Sequence, residues 1–270
     1  MNRPGHAGRL AARLGERDAA ILLSLREFRL MSGEQLRRLH FGGGQFTTQA
    51  RKARAALNRL AGRRLVVRLA RQVGGVHAGS DGFVYGLSGW GQAVLDVLTG
   101  TTTKHRRVIE TKPAFQDHTL AIGELAIELY ERARVGRGHV DELRAEPASW
   151  RRFAGLGGDR RILKPDVFVR VTVGDYELSH FVEMDMATES RSTIARQCRV
   201  YVDYYRSGQE QRDHDVFPQV WWLVPDRRRL DTIKEVVRRL PGDAQALFII
   251  ALTSSAADQL MQLPPTGGVV

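Results

Sequence analysis

The stretch Lys164-Pro165-Asp166-Val167-Phe168-Val169-Arg170-Val171-Thr172-Val173-Gly174-Asp175-Tyr176-Glu177-Leu178-Ser179-His180-Phe181-Val182-Glu183-Met184-Asp185-Met186 decides the fold. Val167 to Val173 alternates β-branched residues as a strand does, and Tyr176 to Met186 reads as its partner. Gly174-Asp175 between them is a two-residue hairpin signal. Side chains on a strand repeat every second residue, so Glu183 and Asp185 face the same way. Asp166 can join them from the neighbouring strand. Three such acids repel unless something compensates them, and a hard divalent cation would do so. A pair of solvated acids at a sheet edge is the alternative.

Outward from this hairpin, the C-terminal half alternates helix and strand signals. A helix is predicted over 115–134, with Leu120, Leu125, Ile127 and Leu129 apolar, and a weak strand within 139–153. Gly155-Leu156-Gly157-Gly158 is a loop. Further on come a helix over 191–206, a buried strand from Phe217 to Val224, a helix over 227–240 and a strand from Leu247 to Leu252. That order fits a mixed sheet flanked by helices. No Walker A or dinucleotide fingerprint occurs.

The N-terminal part differs in both pattern and charge. Residues 1–110 hold 19 Lys+Arg against 7 Asp+Glu, whereas 111–270 hold 22 against 23, so the net charge of +11 belongs to the front of the chain. A basic module beside a near-neutral one points to a polyanion, with duplex DNA ahead of an anionic membrane surface. A helix begins near Asp18 with Ile21, Leu22, Leu25 and Phe28 on one stripe. Ser32-Gly33-Glu34-Gln35 is a capping box for a second helix. After Gly42-Gly43-Gly44, Thr47 or Thr48 caps a third, with Ala50, Ala53, Leu57 and Leu60 inward and Arg51, Lys52, Arg54, Asn58 and Arg59 outward. Strand-like pieces 65–69 and 83–87 flank a Gly-rich segment from Arg71 to Gly82, and Ser88 opens a fourth helix. Three helices followed by a basic hairpin is the winged helix-turn-helix order, in which the third helix enters the major groove. Arg63, Arg64, Arg68 and Arg71 would meet the flanking phosphates. A small helical domain with an Arg-rich solvated face is the alternative: only five of the 41 basic residues are lysines, a bias that a GC-rich genome produces by itself.

The expected organisation is a flexible basic tail over 1–15, a winged helix over 16–100, a linker over 101–113, a mixed-sheet domain over 114–262 and a tail over 263–270. Cys198 is the lone cysteine, so no intrachain disulfide and no Cys-rich zinc site is expected. No apolar run is long enough to span a bilayer and residues 1–15 lack the apolar core of a signal peptide. A cytoplasmic protein without a membrane partner is expected.

Pro165-Asp166 with Glu183-Met184-Asp185 resembles the motif of the PD-(D/E)XK nuclease superfamily. Gln197 and Tyr201, four apart on the helix over 191–206, resemble the Gln-xxx-Tyr element of its RecB-like branch. The resemblance implies a PD-(D/E)XK-like second domain with Asp166, Glu183, Asp185, Gln197 and Tyr201 at its centre. It also implies Mg²⁺ or Mn²⁺ on Asp166 and Glu183, with His118 and Glu124 as further metal-site residues. Asp185 stands where the superfamily carries lysine, the group that stabilises charge developing on phosphorus. Arg196 and Arg199 follow nearby, and arginine does not act as a base at neutral pH. Cleavage as a DNA endonuclease or nickase is therefore left open.

The winged helix, this degenerate motif, Thr188-Glu189-Ser190 and a helix ending in Tyr204-Tyr205 together resemble the replication-relaxation family of plasmids and integrative elements. The fold class expected is thus mixed α/β (α+β), a winged helix-turn-helix followed by a PD-(D/E)XK-like domain. The function implied is DNA binding in replication, relaxation or mobilisation of a mobile element, with replication or relaxase proteins as partners and a homodimer as a possible state. The alternative is a non-enzymatic transcriptional or copy-number regulator whose second domain dimerises or recruits a partner.

Overall fold

The computed structural model describes residues 3–69, 83–102, 112–155 and 157–263. The chain divides into two compact units, 1–127 and 128–270.

In the first unit, α1 (Arg3–Ala11) and α2 (Glu16–Phe28) lead into a short strand β1 (Leu30–Ser32), then α3 (Gly33–His40) and α4 (Phe46–Gly62). Strands β2 (Val66–Leu69) and β3 (Val84–Leu87) follow, then α5 (Gly89–Thr99), and α6 (Pro113–Arg134) begins in this unit. The strands form one antiparallel sheet in the order β1-β3-β2. Ile21, Leu22, Leu25, Leu36, Leu57, Leu60 and Val94 close its core.

Local chemistry explains the boundaries. Ser32 accepts from the backbone of Gln35 while the Gln35 side chain accepts from that of Ser32, the full capping box. Ser88 caps α5 by accepting from Gly91. Gly91 is also obligatory for packing, because a Cβ there would stand 2.1 Å from the Leu65 carbonyl oxygen.

Three expectations change here. Residues 3–11, read as part of a tail, are helical: Ala7 and Ala11 are buried and His6 meets the edge of Trp90 at 5.4 Å. Helix α4 starts at Phe46, with Gln45 at its N-cap and no side-chain cap, so neither Thr47 nor Thr48 serves. Its buried stripe is Ala53, Ala56, Leu57 and Leu60, and Ala50 is only half-buried. The division between units falls inside α6, downstream of the connection read at 101–113, most of which lies outside the described residues. The physical reason is that the first turns of α6 are tied to α3: Gln35 donates to the Leu120 carbonyl at 2.8 Å and to Glu124 at 3.1 Å, and Arg38 pairs with Glu124.

The second unit continues with β4 (His139–Ala145), β5 (Arg151–Ala154), β6 (Arg160–Leu163), β7 (Val167–Val173) and β8 (Tyr176–Met184). Next are α7 (Arg191–Ser207), α8 (Gln209–His214), β9 (Gln219–Val224), α9 (Arg227–Val237), α10 (Gly242–Gln245), β10 (Phe248–Leu252) and α11 (Ala256–Leu260). A five-stranded mixed sheet has the order β10-β9-β8-β7-β4, with β8, β9 and β10 parallel and β7 and β4 antiparallel to their neighbours. The predicted β7–β8 hairpin is present in register, Val173 opposite Tyr176, with Gly174 at φ 58° as a type II′ turn requires. The weak strand predicted within 139–153 is two strands in different sheets, because β5 pairs with β6 and not with β7. The class is mixed α/β.

One face of the sheet packs against α7 and α9 through Phe168, Phe181, Ile194, Cys198, Tyr201, Trp222 and Ile233. Tyr204, near the end of α7, lies in this core and donates to Glu210. At the rim of the opposite face, Arg132 binds Asp258 of α11 through two contacts of 2.8 Å.

His180, buried within the sheet, donates to the Leu260 carbonyl at 3.1 Å, and the Trp221 indole donates to its other ring nitrogen, also at 3.1 Å. Burial pushes its pKa down from 6.5 to about 4. The unfolded chain takes up this proton below pH 6.5 and the folded one only near pH 4. The stabilising contribution is thus intact above pH 6.5 and is lost as pH falls through that window, by ~3 kcal/mol in all. Urea titrations at pH 7 and pH 5 should show the wild type losing more stability than His180→Gln; equal losses would remove His180 as the cause.

Candidate functional site

Asp166 and Glu183 meet because register demands it. Val167 pairs with Val182, so the residue before β7 stands opposite Glu183 near the end of β8. Asp166 Oδ2 accepts from the Met184 backbone N–H at 2.7 Å, which holds the two chain segments together. Glu183 points toward α7, where the Tyr201 hydroxyl donates to it at 2.5 Å. Glu183 is 6% exposed, and burial, then the charge of Asp166, raises its pKa well above the ordinary carboxylate range. Burial, then the charge of Glu183, likewise raises the Tyr201 phenol well above 10. The Gln197 Oε1 is buried without a hydrogen-bond partner, while its side chain bonds Glu189. Burial, then Asp185 and Asp166, pushes the Glu189 pKa up.

Asp185 takes a different course. Its backbone N–H extends the ladder to the Leu223 carbonyl at 2.9 Å. Both carboxylate oxygens accept from Arg229, at 2.6 and 2.7 Å, in a fork-to-fork pair. The Asp185 side chain is fully buried and that of Arg229 is 11% exposed. Arg229 also donates to the Glu189 carbonyl at 2.9 Å. The first turn of α9 positions it: Asp226 caps the helix by accepting from the Arg229 backbone N–H at 2.8 Å.

Arg229 was not singled out from the sequence, and Glu189 was named only within Thr188-Glu189-Ser190, without a site role. A signal existed. Asp226-Arg227-Arg228-Arg229 sets three cations at a helix N-terminus, where the dipole disfavours them, so at least one needed an acid elsewhere. Glu124 and His118 lie on the part of α6 that belongs to the first unit, with Glu124 held by Gln35 and Arg38. Among the described residues, no three His, Cys, Asp or Glu side chains are grouped as a metal ion would need.

In the first unit, α4 turns Arg51, Lys52, Arg54 and Asn58 to solvent. None of the three cations has an ion-pair partner among the described residues. Arg59, on the same outward side, instead forks onto buried Asp18 at 2.9 and 2.7 Å and fastens α4 to α2. Arg63 and Arg64 are exposed where α4 ends. Arg68 on β2 donates to Asn58 at 2.6 Å and stacks over Phe83 at 5.6 Å, so the strand's cation sits beside the helix's polar face. Arg71 lies outside the described residues. No helix among the described residues is long and apolar enough to cross a membrane.

A family model described as replication-relaxation matches residues 22–220. No curated protein and no solved structure matches the chain.

Proposed function

The chain belongs to the replication-relaxation family, and from that premise we propose that it binds duplex DNA of a plasmid or integrative mobile element and acts in that element's replication, relaxation or mobilisation. The carrying observation is the outward face of α4, where Arg51, Lys52 and Arg54 are exposed without acidic partners. A helix with such a face, followed by the β2–β3 strand pair with Arg68 at its edge, supports the winged-helix reading: α4 in the major groove, β2–β3 and Arg63 and Arg64 on flanking phosphates. Replication or relaxase proteins of the same element are the partners this role implies.

The second unit is, in this reading, a nuclease-like platform that does not cut. A divalent cation needs ionised oxygens free to ligate it. Asp185 commits both of its oxygens to Arg229, and one Glu183 oxygen accepts from the Tyr201 hydroxyl. With no group of three metal-ligating side chains among the described residues, the arrangement does not support the expected metal, and no chemical step is derived through it.

Two measurements on the full chain test the proposal. Affinity for a duplex should fall about a hundredfold or more between roughly 50 and 200 mM salt, since several phosphate contacts release counterions. A flat salt profile would leave DNA binding without support. Supercoiled plasmid should stay intact with Mn²⁺; nicking that Asp166→Ala abolishes would instead establish the endonuclease.

A further inference from the structure

The β5–β6 hairpin has one face whose cations are paired with acids and one whose cations are not. Its inner face carries Phe153 and Leu163, buried against α7. Each arginine directed inward has an acid: Arg151 binds buried Glu210 at 3.1 Å, and Arg161 binds Asp159 at 2.6 Å and also Asp203 of α7. Strand alternation puts Arg152, Arg160 and Ile162 on the outer face, with Lys164 just beyond. Arg152, Arg160 and Lys164 are exposed, and none has an ion-pair partner among the described residues. Ile162 is 40% exposed between them.

The register sharpens the point. Arg152 opposes Ile162 and Ala154 opposes Arg160, so the two arginines are diagonal neighbours, ~7–8 Å apart at the backbone. Like charges this close on one face repel, and the hairpin's acid, Asp159, is held by Arg161. The patch extends onto α7. Asp203 receives Arg161, Arg199 is one turn before it and Arg196 one turn earlier still, so the three share a stripe. Arg196 and Arg199 are exposed and likewise have no ion-pair partner among the described residues. Arg-rich composition alone does not account for this, because residues 111–270 are balanced in charge and the neighbouring arginines are paired.

We infer that the outer face of the β5–β6 hairpin, continued by Arg196 and Arg199, is a second nucleic-acid surface that grips the phosphate backbone of duplex DNA. The inference rests on the proposed DNA-binding role and adds a contact that the first unit does not contain. A polyanion relieves the repulsion among these cations, and Ile162 packs against the sugar edge while the cations reach phosphates. Backbone contacts add affinity without reading sequence.

The test uses the full chain and fluorescein-labelled duplexes, with the triple substitution Arg152→Ala, Arg160→Ala, Lys164→Ala. All three side chains are exposed, Lys164 resting over the Trp150 ring at 4.9 Å, and circular dichroism melting should confirm that the fold survives. The variant should bind about tenfold or more weaker, equally on every duplex, with the salt slope shallower by about 2 to 3. A photo-crosslinking residue at Ile162 should label DNA. Wild-type affinity in the triple variant, with no crosslink, would overturn the hairpin surface while leaving the first unit's role standing; an acidic protein captured at Ile162 in its place would do the same. A wild-type chain that binds no duplex would remove both readings together.

Discussion

Replacing Arg51, Lys52 and Arg54 together by alanine is expected to lower duplex affinity by about a hundredfold or more and to reduce the salt slope by about 3, one unit per lost phosphate contact. The three side chains are exposed and make no ion pair among the described residues, and Arg54 gives up only a long, exposed bond to the Ala50 carbonyl at 3.4 Å, so the fold should stand without them. The buried stripe Ala53, Ala56, Leu57 and Leu60 is untouched, and alanine favours helix. Thermal stability should therefore stay within a degree or so while binding collapses. Arg59→Ala supplies the contrast. It lies on the same outward side, but its guanidinium holds buried Asp18. Its loss should destabilise the first unit, because an unpaired acid remains at a site 5% exposed. If the triple variant binds as the wild type does, α4 is not the reading helix.

The second large effect concerns Arg229. Its removal leaves the fully buried Asp185 carboxylate without a counter-charge, beside Glu189 and near Asp166. Breaking one partner of a buried pair costs about 3–5 kcal/mol, so Arg229→Ala should shift the urea midpoint of the second unit strongly downward. Tryptophan fluorescence reports this transition well, since Trp150, Trp221 and Trp222 lie in that unit and Trp90 alone in the other. Arg229→Lys should recover only part, because an ammonium cannot make both parallel bonds to the carboxylate. The double change Asp185→Leu with Arg229→Met should recover most of the loss, since apolar groups of similar size replace a buried pair at little cost. A double variant as unstable as Arg229→Ala would mean that the pair stabilises the unit through something other than mutual compensation.

These two sites differ in how far the sequence exposed them. The β7–β8 hairpin was legible because it depends on neighbours along the chain: β-branched alternation on both sides of Gly174-Asp175. The capping box at Ser32 and the cap at Ser88 were legible for the same reason, each bond spanning three residues. Tyr201 and Glu183 were placed at one centre only by the resemblance to the nuclease motif, since their hydrogen bond spans 18 residues. The Thr47 and Thr48 caps failed because Phe46, which stacks with Arg37, belongs to the helix and moves its start upstream. Helix α1 was missed because Arg and Gly dominate its composition, whereas two small alanines and His6 against Trp90 supply its packing.

By itself the sequence determined the local elements, their polarity and the uneven spread of charge, since each rests on interactions within a few residues. Only the tertiary structure decided which charges are spent. Arg229 lies 44 residues from Asp185, Arg59 lies 41 from Asp18 and Arg161 lies 42 from Asp203. Pairing over such separations follows from how helices pack on a sheet, which no local pattern encodes. A formal charge in the sequence stays available to a partner only where the fold leaves it without an ion pair, as among the described residues on α4 and the outer face of β5–β6.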